Sequence, residues 1–320
     1  MTKKTLKKIL FNSIKIRIVE ETIRRQYSNQ NMRCPIHLSI GQELSAACFG
    51  ELTNKNDFFI SPHRSHAHYL AKNGDLKSFI AELHGKKTGC SGGRGGSMHL
   101  IDLKKGFIGS TAIVANTIPI GVGLAHSKLL KKEKGIVLIF LGDGALEEGV
   151  FFESMNYAII NKLPCLFVCE NNFYSVYTHI LDRQKSLNVS KMLKGFEINI
   201  TNTSDRNVSE LTQDVDKAIN YVKKKSLPAF IEIKTHRFYE HCGPNDDDHL
   251  GYRTKVNLIK NYKLDPINLF KNFLIKKNFI KEKEILSYEK VFSNEVNNIF
   301  KMMHLEPNPN KRDHLKFVYK

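Results

Sequence analysis

Asp143 and Asn172 carry the clearest chemical signal in this 320-residue sequence. Asp143 stands between Gly142 and Gly144, directly after the apolar run IVLIFL at 136–141. Asn172 follows 29 positions later, after a second apolar run, PCLFVC at 164–169, and the residues Glu170 and Asn171. Glycines on both sides of Asp143 let the backbone turn sharply and admit a bulky anion. A carboxylate and a neutral amide oxygen together suit Mg²⁺, which keeps octahedral oxygen geometry and shares its shell with phosphate and water. One negative charge suffices when the ligand brings several of its own. Arg64 and Arg237 are fixed cations of the kind that makes bidentate contacts with oxyanions. His63, His66 and His68 form H-x-x-H-x-H, a spacing that also reads as a zinc cluster, but Arg64 lies among them and repels a cation.

These residues need a scaffold that brings strand ends together. The runs at 136–141 and 164–169 are continuous and apolar, as expected of strands buried on both faces. Between them, 145–162 reads as a helix, acidic at its start where negative charge suits the dipole. A strand at 196–200, a helix at 208–225 and a strand at 229–234 continue the alternation. The expectation is an α/β fold with a doubly wound, mostly parallel sheet and right-handed crossovers. Ligands in such sheets bind outside the carboxyl ends of the strands. Upstream, 5–28 and 41–51 read as helices, 57–61 as a short strand, and 63–70, 76–83 and 117–130 as helices. TGCSGGRGGS at 88–97 is a glycine-rich loop that allows close approach to a ligand or another backbone, but it lacks the Lys-Ser/Thr ending of a P-loop. Gly121 and Gly123 make only a GxG, so no dinucleotide fingerprint is present. One domain at 1–255 is expected, with 256–320 as its helical, peripheral C-terminal extension.

Composition sets the frame. Hydrophobic content of 41% with 25% charged residues is ordinary for a globular chain. The net charge of +17 points to nucleic acid, a membrane surface or an acidic partner. The lysines are dispersed, however, and no arginine-rich helix or aromatic-basic motif appears, so neither nucleic acid nor membrane is an expected partner. The six cysteines form no Cys-x-x-Cys, which fits a reduced, cytoplasmic protein. No apolar run is long enough to span a bilayer. The lysine-rich N-terminus is interrupted by Asn12, Ser13, Lys15 and Arg17, which favours an amphipathic helix over a signal peptide.

The stretch GDGALEEGVFFESMNYAIINKLPCLFVCENN resembles the thiamine-diphosphate motif, which opens with GDG and closes with NN. HLSIGQE (37–43), PHRSHAH (62–68), ELHGKKTGCSGGRGGSMH (82–99), AIVANTIPIGVG (112–123) and HRFYEHCGPNDDDHLGYR (236–253) extend the likeness over roughly residues 8–255. It is to the α subunits of heterotetrameric thiamine-diphosphate-dependent 2-oxo acid dehydrogenases of the pyruvate, branched-chain and acetoin type. The resemblance implies that Asp143, Asn172 and the Tyr174 carbonyl ligate Mg²⁺. By the same likeness Gly144 and Ala145 contact the diphosphate, Arg64 and Arg237 bind it, and Ala112 and Val114 belong to the cofactor site, with Val114 wedged under the thiazolium. His63 replaces a tyrosine common in the family and keeps a hydrogen-bonding ring there. His37, His66 and His241 are placed near the reacting carbon, where imidazoles bind substrate and move protons. Glu43, the tempting carboxylate, is structural by this likeness.

The implied activity is cleavage of a 2-oxo acid, with pyruvate as first expectation and acetoin or a branched-chain acid as alternatives, and acyl transfer to a lipoyl group on an acyltransferase. The glutamate that activates the cofactor comes from a β subunit in this family, so an α₂β₂ assembly is implied. Cys242 stands where mitochondrial pyruvate members carry a regulatory serine, which excludes phosphorylation at that position. Asp246, Asp247 and Asp248 read as a solvated acidic loop or a contact for substrate or partner. The rival classes are another Mg²⁺-dependent phosphate enzyme and a basic, non-catalytic binding protein.

Overall fold

The computed structural model describes residues 1–32, 34–186, 188–254 and 262–315. Its centre is a six-stranded sheet in which every pairing is parallel. The strands are β1 (Phe58–Ser61), β2 (Phe107–Ser110), β3 (Val137–Gly142), β4 (Cys165–Asn171), β7 (Asn199–Ser204) and β8 (Ala229–Lys234). Their spatial order is β2-β1-β3-β4-β8-β7. A two-stranded antiparallel hairpin, β5 (Tyr174–Ser175) and β6 (Thr178–His179), rises from the end of β4.

Alternation along β3 shows why helices cover both faces. Val137, Ile139 and Leu141 pack with Phe151 and Met155 of α6 (Gly149–Ile160) and Ile118 and Val122 of α5 (Thr117–Leu130). Leu138 and Phe140 face the opposite core, built by α1 (Lys3–Gln26), α2 (Glu43–Leu52), α3 (His66–Ala71), α4 (Leu76–Leu83) and α9 (Val208–Lys225). Small residues set the spacing on the first face. A Cβ added to Gly121 would lie 2.6 Å from Ile139 Cγ1, so α5 sits tightly on β3.

The doubly wound parallel sheet matches expectation, with differences in detail. The helix expected at 145–162 opens as a 3₁₀ turn, Asp143–Glu147, before α6 starts at Gly149. The strand expected at 196–200 is displaced to Asn199–Ser204, because 194–196 closes as a 3₁₀ turn. β2, the hairpin, and the short helices α7 (Ile180–Arg183) and α8 (Val189–Leu193) were not anticipated. The C-terminal helices α10 (Pro266–Lys276) and α11 (Glu282–Met302) are more than peripheral: Phe270, Leu274 and Val296 are buried in the same core as α1. The parts of the C-terminal expectation on 256–261 and 316–320 lie outside the described residues.

The glycine-rich loop wraps a side chain of the protein itself. Glu82, buried at the end of α4, accepts hydrogen bonds from the backbone amides of Ser91 (2.7 Å), Gly93 (2.9 Å), Gly95 (2.7 Å) and Gly96 (3.0 Å). Its carboxylate thus occupies the anion-binding nest that such loops form. Replacing Glu82 with alanine removes the acceptor for four amides and should lower the unfolding free energy by about 3 kcal/mol. Urea unfolding measures this, and an alanine variant as stable as the parent would show that the loop holds its course without the carboxylate.

Candidate active site

The register of β3 against β4 pairs Gly142 with Glu170. Asp143 and Asn172 therefore leave adjacent parallel strands on the same edge of the sheet. β1 turns leftward to β2 while β3 and β4 continue to the right, so the strand order reverses between β1 and β3. That switch point is where open α/β sheets bind ligands. The cleft there is lined by His63 and Arg64 from the end of β1, Val114 and Ala115 before α5, Asp143, Gly144 and Ala145 after β3, Asn172, Tyr174, Ser175 and Val176 after β4, and His241.

The metal-ligand candidates are held by identifiable contacts. Asn172 Oδ1 accepts from the Tyr174 amide at 3.1 Å, while Asn172 Nδ2 donates to Gln42 Oε1 at 3.1 Å. An amide proton can bond only to an acceptor, so this pair fixes which way the Asn172 side chain faces. Gly144 lies close against the hairpin: a Cβ there would lie 2.8 Å from Ser175 Oγ and 3.1 Å from Ser175 Cβ. Asp143 is buried, and burial pushes its carboxyl up, against the lowering effect of Arg183. Both Asp143 and Glu147 are salt-bridged to Arg183 of α7. The donor set is entirely hard oxygen, which suits Mg²⁺ with a diphosphate. Backbone strain gathers here too. Ala115 (φ 62°), Phe173 (φ 71°) and Val176 (φ 55°) adopt left-handed conformations, and for a β-branched residue such as Val176 this is rare.

Three imidazoles meet beside this turn. The ring centres of His37 and His63 lie 4.7 Å apart, those of His37 and His241 5.1 Å, and those of His63 and His241 5.4 Å. His241 Nδ1 is approached by Arg237 Nη1 at 3.2 Å and Arg64 Nη2 at 3.4 Å. Facing two donors, Nδ1 must be the acceptor, so the neutral ring carries its proton on Nε2. Burial, then Arg64, holds His37 down to about 2 and His63 down to about 4. Burial, Arg64 and Arg237 hold His241 down to about 3. Two guanidiniums beside uncharged rings make this wall a host for negative charge. Arg64 itself is lowered to about 9, by burial and then by Arg237.

Other expected site residues fall elsewhere. His66 is fully buried: its Nδ1 lies 2.7 Å from Glu20 Oε1 and its Nε2 2.7 Å from Ser97 Oγ. The ring ties α1 to the glycine-rich loop and is not among the residues that line the cleft. His68 bonds Ser61 Oγ at 2.7 Å and stacks on Phe140, so H-x-x-H-x-H is split among separate environments. His37 and Arg237 are buried behind the lining, where they contact His63 and His241. Ala112 is also outside the lining, its amide 3.4 Å from His99 Nε2. Missed from sequence were Gln42, Glu170, Ser175, Val176 and Arg183. Gln42 and Glu170 lay within motifs already singled out; nothing in the local pattern marks Arg183. Asp247 is no solvated acid: it pairs with Arg253 and accepts from Tyr252, which in turn accepts from Arg237 at 2.7 Å.

Fold and site together define an α/β protein with a strand-end cleft lined by an arginine and uncharged histidines. A family model described as "Dehydrogenase E1 component" matches residues 12–312. The chain belongs to this family, whose enzymes are thiamine-diphosphate-dependent oxidoreductases acting on an oxo group. Among similar proteins, the "Pyruvate dehydrogenase E1 component subunit alpha" of Rickettsia bellii is 30% identical over 304 residues, 95% of this chain and 92% of the relative. The protein of the same name from Rickettsia felis is 30% identical over 318 residues, 99% of this chain and 97% of the relative. A testis-specific mitochondrial form from Rattus norvegicus is 30% identical over 321 residues, 100% of this chain and 80% of the relative.

The histidine wall has a pH consequence. Each folded-state value lies below the ordinary 6.5. As pH falls through 6.5 the unfolded chain takes up protons that the folded chain refuses. Stability is therefore full above that value and is lost progressively as pH falls toward the folded values. Urea unfolding between about pH 7 and pH 5 should show this loss, and His63→Gln should make it shallower. An unchanged slope in the variant would show that His63 is not among the groups responsible.

Proposed function

We propose that this chain is the α subunit of a pyruvate-cleaving E1 component, holding thiamine diphosphate through Mg²⁺ at the ends of β3 and β4. The observation that carries the reading is the in-register pairing that delivers Asp143 and Asn172 to one edge, with Arg64 and the histidine wall opposite. In this reading Asp143, Asn172 and the Tyr174 carbonyl hold the metal. Gly144 and Ala145 offer the turn to the diphosphate, and Arg64 and Arg237 balance its charge. His63 adds a hydrogen-bonding ring, and Val114 supports the thiazolium. Thiamine diphosphate supplies the carbanion chemistry that accepts the electrons released when the 2-oxo acid loses its carboxylate.

The chain's own residues do the rest. His241, held with its Nε2 protonated, donates to the substrate oxygen and moves a proton there. His37 packs edge-on against His63 and His241 and fixes both rings. The names of the relatives favour pyruvate over a branched-chain acid or acetoin.

The same reading calls for a β subunit in an α₂β₂ assembly, and a lipoyl-bearing acyltransferase to take the acyl group. The carboxylates lining the cleft are Asp143 and Glu170. Glu170 is committed to Ser45 and lies 3.2 Å from His68 Nε2, though poorly aligned for a hydrogen bond. No free carboxylate therefore faces the cleft among the described residues. The cavity measures about 130 Å³, below the roughly 300–1,000 Å³ usual for ligand sites, and Ile113 and Val114 beside it are 65% and 47% exposed. A partner wall accounts for all three observations. No helix among the described residues is long and apolar enough to cross a membrane, and we place the assembly in the cytoplasm. Residues 1–255 with the helices beyond them are read as one domain.

Calorimetry on this chain co-expressed with its β subunit should show Mg²⁺-dependent binding of thiamine diphosphate that Asp143→Ala abolishes. Absence of binding in an assembled complex refutes the cofactor site. Steady-state assays with pyruvate should show His241→Ala lowering kcat by about a hundredfold or more while leaving thiamine diphosphate affinity nearly unchanged. A variant with unaltered kcat removes His241 from the chemistry.

A further inference from the structure

Asp143 has a counter-ion from its own chain. Its side chain is salt-bridged to Nη2 of Arg183, whose Nη1 salt-bridges Glu147 and whose Nε donates to the Thr178 carbonyl at 3.3 Å. Gln184 Nε2 adds a 2.9 Å hydrogen bond to the same Glu147 oxygen. The Arg183 and Asp143 side chains are 11% and 2% exposed, so solvent screens the pair weakly. Ser175, on the hairpin leading into α7, packs against Gly144. The segment from β5 to α7 is thus pinned onto the turn after β3 at both ends.

The geometry points to Arg183 as a placeholder cation, which neutralises Asp143 until a divalent metal replaces it and so sets the metal affinity of the site. This rests on the cofactor reading above and concerns what that reading leaves open. A buried carboxylate with no counter-charge destabilises the fold, and Arg183 supplies that charge from within the chain. A guanidinium touching Asp143 and a divalent ion bound to the same carboxylate repel each other at contact distance in a poorly screened site. Binding the metal therefore requires Arg183 to leave Asp143. Glu147, with 33% of its side chain exposed, and the Thr178 carbonyl remain as its anchors. The apparent metal affinity is the intrinsic one scaled by the fraction of molecules in which Arg183 has let go.

Two effects of opposite sign follow for Arg183→Gln: tighter metal binding and a less stable cofactor-free protein. A residue that merely braces the loop weakens both when removed. The experiment is Mn²⁺ binding by electron paramagnetic resonance, with thiamine diphosphate present, on this chain assembled with its co-expressed β subunit. Thermal unfolding without metal is measured in parallel. The expected result is a Kd for Mn²⁺ lowered about tenfold in Arg183→Gln, corresponding to a guanidinium engaged in about nine molecules of ten, with a lower unfolding temperature. Arg183→Met also removes the guanidinium and should lower the Kd by a similar factor; it decides the matter by the same sign if Arg183→Gln does not assemble. Unchanged or weaker Mn²⁺ binding in the variants, with normal binding by the parent, overturns the placeholder role alone. No Mn²⁺ binding by the parent complex overturns the cofactor reading, and the placeholder role falls with it.

Discussion

The in-register parallel pairing of β3 with β4 is the constraint on which the site depends. Six consecutive residues of β3, Val137 to Gly142, face Cys165 to Glu170 without a bulge. A slip of one residue would turn Val137, Ile139 and Leu141 away from α5 and α6. It would also separate Asp143 from Asn172. The burial that stabilises the sheet and the juxtaposition that makes the cleft are therefore enforced by the same hydrogen bonds. Gln42, reaching across from the start of α2, then sets the orientation of the amide that this register delivers.

Behind the cleft, the packing of α1 and α2 is organised by buried charges with dedicated partners. Glu20 takes the His66 ring and the Ser39 amide. Arg17 bridges Glu43 and Asp265, joining the N-terminal helix to the segment that opens α10. Buried ion pairs add little net stability, but breaking one strands a charge. They fix how α1 lies across the sheet more than how tightly it is held. Glu43 accordingly serves as a structural anchor, as the likeness to known enzymes implied.

Much of this was legible in the sequence because strong signals are local. Continuous apolar runs gave β3 and β4, and the alternation of strand and helix beyond them gave α9 and β8. The motif residues Asp143, Asn172, Arg64 and His241 meet because strand ends in such a sheet must. What stayed hidden depends on contacts across long separations. His66 looks like an active-site ring in its motif, yet Glu20 and Ser97 claim both of its nitrogens from 46 and 31 positions away. Arg183 lies in a segment without periodicity, 40 positions from Asp143. β2 has four residues with only the first fully buried, so neither alternation nor a long apolar run announces it. A charge run such as 246–248 reads as solvated until the tertiary fold supplies Arg253.

The glycine-rich loop has an evolutionary consequence. Its path is dictated by one carboxylate that four amides must reach at once. Insertion or deletion of a single residue would leave at least one amide without its acceptor, and a Cβ at Gly93, Gly95 or Gly96 would meet a neighbour at under 3 Å, so little variation in length or composition is open to this connector.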